Sequence, residues 1–283
     1  MTDLSVAIVT NGREKSLRRC IKSIDRMTKT PYELVLLDVS KAFTNDVKIP
    51  KWLIDKAKTY VDYDKKIGIG AGYQMVADLC DTNYIFHIDD DIYLKDHAVV
   101  DAEYKYIKDN PDTDIISCCW YDMMYKGMRE VSMKWLEGWS DGRLSFKKQL
   151  VPYELAGKGA WGEAMQVVKS DECLHSMIVN KETVYDKGIK WDPNLPSKGD
   201  REAFFYKCKQ ADIDIRVLVD QIVIHDPEFY EHGSETYVTK GKESKDYFYK
   251  TYGYWPIMYW DKPQLRAGPD GKPVYINQDG KII

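Results

Sequence analysis

Three carboxylates in succession, Asp89-Asp90-Asp91, follow the apolar run Tyr84–Ile88 (YIFHI) with no turn residue between. Adjacent carboxylates at one strand end repel one another strongly unless a cation sits among them. Mg2+ or Mn2+ takes such oxygen ligands and commonly bridges them to a substrate diphosphate. A solvated acidic turn is the bland alternative, and the position directly after a buried strand favours the metal. Two more groups end apolar runs in the same way: Asp38 closes YELVLLD, and His225 follows Ile222-Val223-Ile224. Asp200 and Glu202 head a helical pattern through Ala203, Phe204, Phe205 and Cys208. A carboxylate there can take a proton from a hydroxyl nucleophile, or simply be an acid favoured by a helix N-terminus.

The elements that must position these groups alternate over the first hundred residues. Val6–Thr10 is a β-branched run, and Asn11-Gly12-Arg13-Glu14 turns into a helix with Leu17, Cys20, Ile21 and Ile24 on one face. Tyr32–Asp38 reads as a buried parallel strand. Trp52–Ala57 is a second helix, Tyr60–Tyr63 a short strand, and Ile67-Gly68-Ile69-Gly70-Ala71-Gly72 opens a helix through Leu79. This alternation predicts a doubly wound parallel sheet with ligands at the carboxyl ends of its strands, where Asp38 and the triplet fall. In the second half, Ile115–Trp120 and Ala164–Val168 read as strands, and Val131–Phe146 as a hairpin turning at Ser140-Asp141-Gly142. A Gly-rich loop spans Tyr153–Gly162. Ile213–Val219 and Ile222–Ile224 read as strand, and Gly268–Gly271 marks turns or a hairpin in the tail.

With 283 residues, 44 % hydrophobic and 30 % charged, the chain has the balance of a globular protein. No apolar run approaches the roughly 20 residues that span a bilayer, and Met1-Thr2-Asp3-Leu4 lacks a signal-peptide pattern, so a cytoplasmic location is expected. The six cysteines form no CxxC pair and fall in apolar patterns, which points to buried free thiols. A net charge of −4 argues against a uniformly basic nucleic-acid coat and leaves room for a local basic face.

Taken in order, four segments resemble a GT-A fold glycosyltransferase of the family 2 type, over roughly residues 4–227. They are Val6–Arg13 with its helix; Leu36-Leu37-Asp38-Val39-Ser40; Gly70-Ala71-Gly72-Tyr73 through Asp91; and Asn180–Thr183 through Trp191-Asp192 to Gly199-Asp200-Arg201-Glu202. The resemblance implies an α/β, Rossmann-like mixed central sheet flanked by helices, and sugar transfer from a nucleoside diphosphate donor, UDP-linked, with inversion. Thr10, Asn11, Arg13, Asp38, Gly70, Asp89 and Asp90 would then bind the donor. Asp91, Asp89 and His225 would hold Mn2+ or Mg2+, since neutral imidazole is a reasonable Mn2+ ligand. Asp200 stands where the family has its catalytic base. The family usually carries Glu-Asp where this chain has Gly199-Asp200, which leaves Asp200 and Glu202 both open as the base. The implied domains are 1–227, divided into a nucleotide-sugar half (1–120) and an acceptor half (121–227), followed by a C-terminal segment, 228–283.

Trp161-Gly162-Glu163 follows Gly157-Lys158-Gly159-Ala160, and it suits either sugar stacking with carboxylate contacts to hydroxyls or a packed core. His87 points into the sheet, whereas His97, His175 and His232 carry no signal. In Tyr237–Trp260, Lys240, Lys242, Lys245 and Lys250 are interleaved with aromatics. That stretch suits closure over the donor, a grip on a phosphodiester backbone, or an amphipathic helix packed on the domain. The Lys- and Tyr-rich character resembles phage-encoded glycosyltransferases that decorate hydroxymethylated DNA bases. DNA is therefore the leading acceptor expectation, and a protein or glycan the next. A nucleotidyltransferase would need a richer phosphate loop than Asn11-Gly12-Arg13. A non-catalytic nucleic-acid-binding protein would bind DNA without metal and tolerate loss of Asp91.

Overall fold

Alternation within the strands sets the architecture. Along Leu4–Thr10 (β1), Leu4, Val6 and Ile8 face one side and Ala7 the other, all fully buried. Glu33–Asp38 (β2) repeats this, with Leu34 and Leu36 on the first face and Val35 and Leu37 on the second. A sheet apolar on both faces must be covered on both. Helices Glu14–Met27 (α1), Lys51–Lys56 (α2) and Val99–Asp109 (α4) cover one side through Leu17, Leu53 and Val99. Ile69–Asp78 (α3) and Asp200–Gln210 (α5) cover the other through Val76 and Phe204. The structure, a computed structural model, describes residues 2–40, 49–64, 67–122, 130–140, 143–152, 167–195, 199–226, 243–244, 246–252, 255–257, 264–267 and 273–276.

Thr59–Asp62 (β3), β2, β1 and Tyr84–Ile88 (β4) are parallel neighbours in that order, as the βα alternation predicts. Past β4 the sheet is mixed. Ser176–Asn180 (β10) lies antiparallel between β4 and Ile115–Asp122 (β6). Ile215–His225 (β11) runs parallel to β6 with a register shift between Leu218 and Ile222, so the two apolar runs are one strand with an irregularity. Ile92–Tyr93 (β5) and Val167–Ser170 (β9) pair antiparallel with β11. Glu130–Ser140 (β7) and Arg143–Pro152 (β8) form the expected hairpin, and Trp255–Ile257 (β12) adds to its edge. Gln264–Ala267 (β13) and Pro273–Ile276 (β14) form a separate hairpin.

All six cysteines are free and buried, and burial pushes their thiols up, which makes them inert packing groups. No described helix is long and apolar enough to cross a membrane. His87 is fully buried, as expected; burial and neighbouring His175 lower its pKa to about 3, and Tyr185 Oη lies 2.8 Å from its Nε2. Residues 246–252 are helical, with Phe248 wholly buried against Leu195 and Ala203, so this part of the C-terminal segment is a packed helix. Lys250 is exposed on it, whereas Lys240, Lys242 and Lys245 lie outside the described residues.

Candidate active site

Parallel pairing brings the carboxyl ends of β1, β2 and β4 to one edge of the sheet. Thr10 sits opposite Asp38 in the β1–β2 ladder, and the β4–β1 ladder brings the triplet alongside. Thr10 Oγ1 donates to Asp90 Oδ2 at 2.6 Å. Arg13, in the turn before α1, forks across the triplet: one guanidinium nitrogen donates to Asp90 Oδ1 and the other to Asp91 Oδ2 at 2.5 Å. Burial alone would weaken the Arg13 charge; Asp90, Asp91 and Asp89 reverse that and keep it cationic. Asp90 is fully buried, and burial pushes its carboxyl up to about 6 even with Arg13 and Thr10 donating to it. Asn11, one residue past Thr10, is exposed.

A two-residue strand brings His225 to this cluster. β5 leaves the triplet at once and pairs antiparallel with β11, so His225 lies opposite Ile92. The Asp226 amide donates to the Asp91 carbonyl at 3.0 Å, and Arg19 holds the Asp226 carboxylate at 2.5 Å. His225 Nε2 ends 3.7 Å from Asp91 Oδ2, with its ring tilted on Trp120 at 4.8 Å. Burial would raise Asp91, but His225 and Arg13 more than offset it and hold the carboxyl down to about 2. Asp91 Oδ1 is buried without a hydrogen-bond partner among the described residues. An ionised carboxylate with an open oxygen beside an imidazole fits a divalent cation whose other ligands come from a diphosphate and water. Asp89 does not join this pair, and among the described residues no three His, Cys, Asp or Glu side chains converge on one metal position.

Asp89 is held instead by Tyr73 and His175. The Tyr73 hydroxyl, from α3, donates to Asp89 Oδ1, and His175 Nδ1 lies 2.8 Å from the Tyr73 oxygen and 3.5 Å from Asp89. The antiparallel β4–β10 pairing makes this contact, because Ser176 stands opposite Ile88 and the Asp89 amide reaches the His175 carbonyl. Trp191 packs on Tyr73 at 4.9 Å and stacks on Phe204 at 4.2 Å.

Asp200 and Glu202 open α5, both 7 % exposed. Burial pushes Asp200 up to about 6; Glu202 adds to the rise, while His175 and Arg201 pull the other way. Glu202 lies 3.8 Å from Arg201, which also reaches the buried Glu172. The first turn of α3 meets α5 here. A Cβ on Gly70 would come 2.8 Å from the Asp192 carbonyl oxygen and 3.3 Å from Asp200 Cβ, so only glycine lets the two helices approach this closely.

Asp38 lies at the far side of the edge, buried, accepting from the Ser40 amide at 2.9 Å and the Tyr60 hydroxyl at 3.0 Å. The structure thus gathers Thr10, Arg13, Asp90, Asp91 and His225 into one cluster, and Gly70 beside Asp200 into another that Tyr73 and His175 join to Asp89. Trp161 and Glu163 lie outside the described residues. His175 and Tyr73 are the residues that sequence reasoning missed. Only knowledge that β10 inserts antiparallel beside β4 would have marked His175, since nothing in its neighbours does.

The sequence matches the family model for glycosyl transferase family 2 over residues 5–160. A search of curated proteins gave no match. Among solved structures, this fold is similar to GalNAc-T7 with UDP, GalNAc and Mn2+: TM-score 0.59, 17 % identity, covering 88 % of this chain and 50 % of that one. The chain therefore spans about half the length of that relative. It is also similar to S. aureus TarS 1–349, in complex with UDP (TM-score 0.51, 15 % identity, 90 % and 72 % covered) and without it (0.52, 16 %, 89 % and 72 %). At these identities the structural likeness speaks to the fold, and the family model speaks to the sequence. Together they make the chain a member of glycosyl transferase family 2, built on the GT-A fold.

Proposed function

We propose that this glycosyltransferase moves a sugar from a UDP-linked donor to a hydroxyl acceptor in a metal-dependent, inverting displacement. The observation that carries the reading is the meeting of Asp91, His225 and Arg13, from three separate stretches of chain, at the carboxyl edge of the sheet. Asp91 and His225 are the residues that would hold Mn2+ or Mg2+, and GalNAc-T7, whose fold is similar, is described with UDP and Mn2+. When bound, the cation would offset charge developing on the departing nucleoside diphosphate. Arg13 supplies a second, permanent positive charge beside the same position. Thr10, Asn11 and Asp38 border the nucleoside side, while Asp89, fixed by Tyr73 and His175, and Gly70, packed on Asp200, border the donor's sugar side.

Asp200 is the base in this reading. At about 6 its carboxyl is mostly ionised at neutral pH yet basic enough to take a proton from an acceptor hydroxyl as the new glycosidic bond forms. Glu202 is the weaker candidate because it faces Arg201. For the acceptor we propose a hydroxymethylated DNA base first, on the Lys- and Tyr-rich composition, and a protein or glycan hydroxyl second. A cytoplasmic location goes with either.

The test is nucleotide release from UDP- and GDP-sugars with Mn2+, Mg2+ or EDTA, in water alone and with hydroxymethylated DNA, protein or glycan added. Metal-dependent release of UDP, lost in Asp91→Asn, is expected. No release from any donor with Asp91 intact contradicts the reading.

A further inference from the structure

The helical segment at 246–252 lies against the residues that lead into Asp200. Gly199, the residue before Asp200, caps α5 in the left-handed region at φ +84°. A Cβ on Gly199 would come 2.9 Å from Phe248 Cδ2, so the phenyl ring rests on the Gly199 backbone. Phe248 is fully buried, in a cluster with Leu195 and Ala203 on either side of Asp200 in sequence.

A second attachment lies one step away. The buried Asp192 carboxylate accepts the Tyr252 hydroxyl at 2.6 Å, the Tyr247 hydroxyl at 3.1 Å and the Asn194 amide at 3.0 Å. Its own carbonyl oxygen packs where Gly70 and Asp200 Cβ meet. The 246–252 helix thus grips both Asp192 and Gly199, the residue before Asp200.

We infer that the 246–252 helix is a clamp that positions the Asp200 carboxylate, with Phe248 seated on Gly199 and Tyr247 and Tyr252 locked to Asp192. The inference rests on the reading of Asp200 as the base. Phe248, Tyr247, Tyr252 and Asp192 are positioning residues; none of them acts on substrate. Free Asp192 from its tyrosines, or remove the ring from Gly199, and the carboxylate loses its fixed place while the donor cluster around Arg13 and Asp91 stays intact.

The test uses the full chain and the donor that releases nucleotide fastest. Phe248→Ala and the double variant Tyr247→Phe/Tyr252→Phe are expected to lower kcat by about 10- to 100-fold, the effect of misplacing a reacting group by an ångström or less. UDP affinity by calorimetry should stay within about twofold, and Phe248→Leu, which keeps the seat filled, should recover most of the rate. In an Asp200→Asn background the same changes should cost nothing further, because residues acting as one unit are non-additive. Hydrogen exchange should rise at the Ala203 amide, which donates to the Gly199 carbonyl, and not in β1 or β4.

Normal turnover in both clamp variants, with Asp200→Asn inactive, overturns the clamp alone. Losses that multiply with Asp200→Asn overturn it as well, because the helix would then act elsewhere. Wild-type turnover in Asp200→Asn overturns the base assignment, and the clamp with it.

Discussion

Arg13→Met removes the guanidinium that pairs with both Asp90 and Asp91. In the intact site burial holds Asp90 at about 6, against about 3.9 in an unfolded chain. At about 1.36 kcal/mol per pH unit, that already costs about 3 kcal/mol at neutral pH. Without Arg13, Asp90 keeps Thr10 as its one side-chain donor among the described residues and is expected to titrate above the assay pH. The cost at pH 7.5 then grows to about 5 kcal/mol, a net loss of about 2 kcal/mol. Asp91 loses part of what holds it down to about 2, a further loss of about 1 kcal/mol that is the same at pH 5 and pH 7.5. The sign follows from the direction of each shift. A raised carboxyl costs more as pH rises from its unfolded to its folded pKa, and below about 6 Asp90 is protonated in parent and variant alike, so the difference from Asp90 vanishes near pH 5; the lowered Asp91 contributes across this window and fails only in strong acid. Urea denaturation in EDTA should therefore show Arg13→Met less stable by about 3 kcal/mol at pH 7.5 and about 1 kcal/mol at pH 5. A difference that does not change between these pH values would refute the reasoning.

Two further predictions concern groups away from the carboxylate triplet. Glu103 is wholly buried on α4 facing β6 and β10, and burial pushes its carboxyl well above the ordinary range. Its contribution is favourable only at low pH and fades as pH rises, so Glu103→Met should stabilise the chain by about 1–4 kcal/mol at pH 7.5 and flatten stability between pH 5 and 8; equal or lower stability than the parent would count against a neutral, buried Glu103. Gly70→Ala places a Cβ 2.8 Å from the Asp192 carbonyl oxygen. Overpacking should outweigh the better helix propensity of Ala by about 1 kcal/mol, and displacement of Asp200 should cost about tenfold or more in turnover, measured by thermal unfolding and nucleotide release.

Much of the first half was legible because local signals and tertiary demands agree there. Strands buried on both faces read as unbroken apolar runs, and helices as one apolar stripe, so β1 through β4 fall where alternation put them. The ends of those strands carried Asp38 and the triplet, and His225 stood at the end of a run. Two things were not legible. One is the antiparallel insertion of β10, which leaves no local mark and decides that His175 meets Asp89. The other is the division of labour inside the triplet. Three identical residues in a row gave no means of seeing that Arg13 and Thr10 claim Asp90 or that Tyr73 and His175 hold Asp89, whereas the family resemblance had already set Asp91 beside His225.

The pH dependence of turnover tests the central claim most directly, because it reads the group that takes the proton. With donor and metal saturating, kcat should rise with an apparent pKa near 6 and level off above neutrality, as burial of Asp200 requires. Asp200→Asn should lose about 10²- to 10⁴-fold and that rising limb together, while Glu202→Gln keeps both. A profile that keeps its limb in Asp200→Asn, or full turnover in that variant, would contradict the assignment of Asp200 as the base.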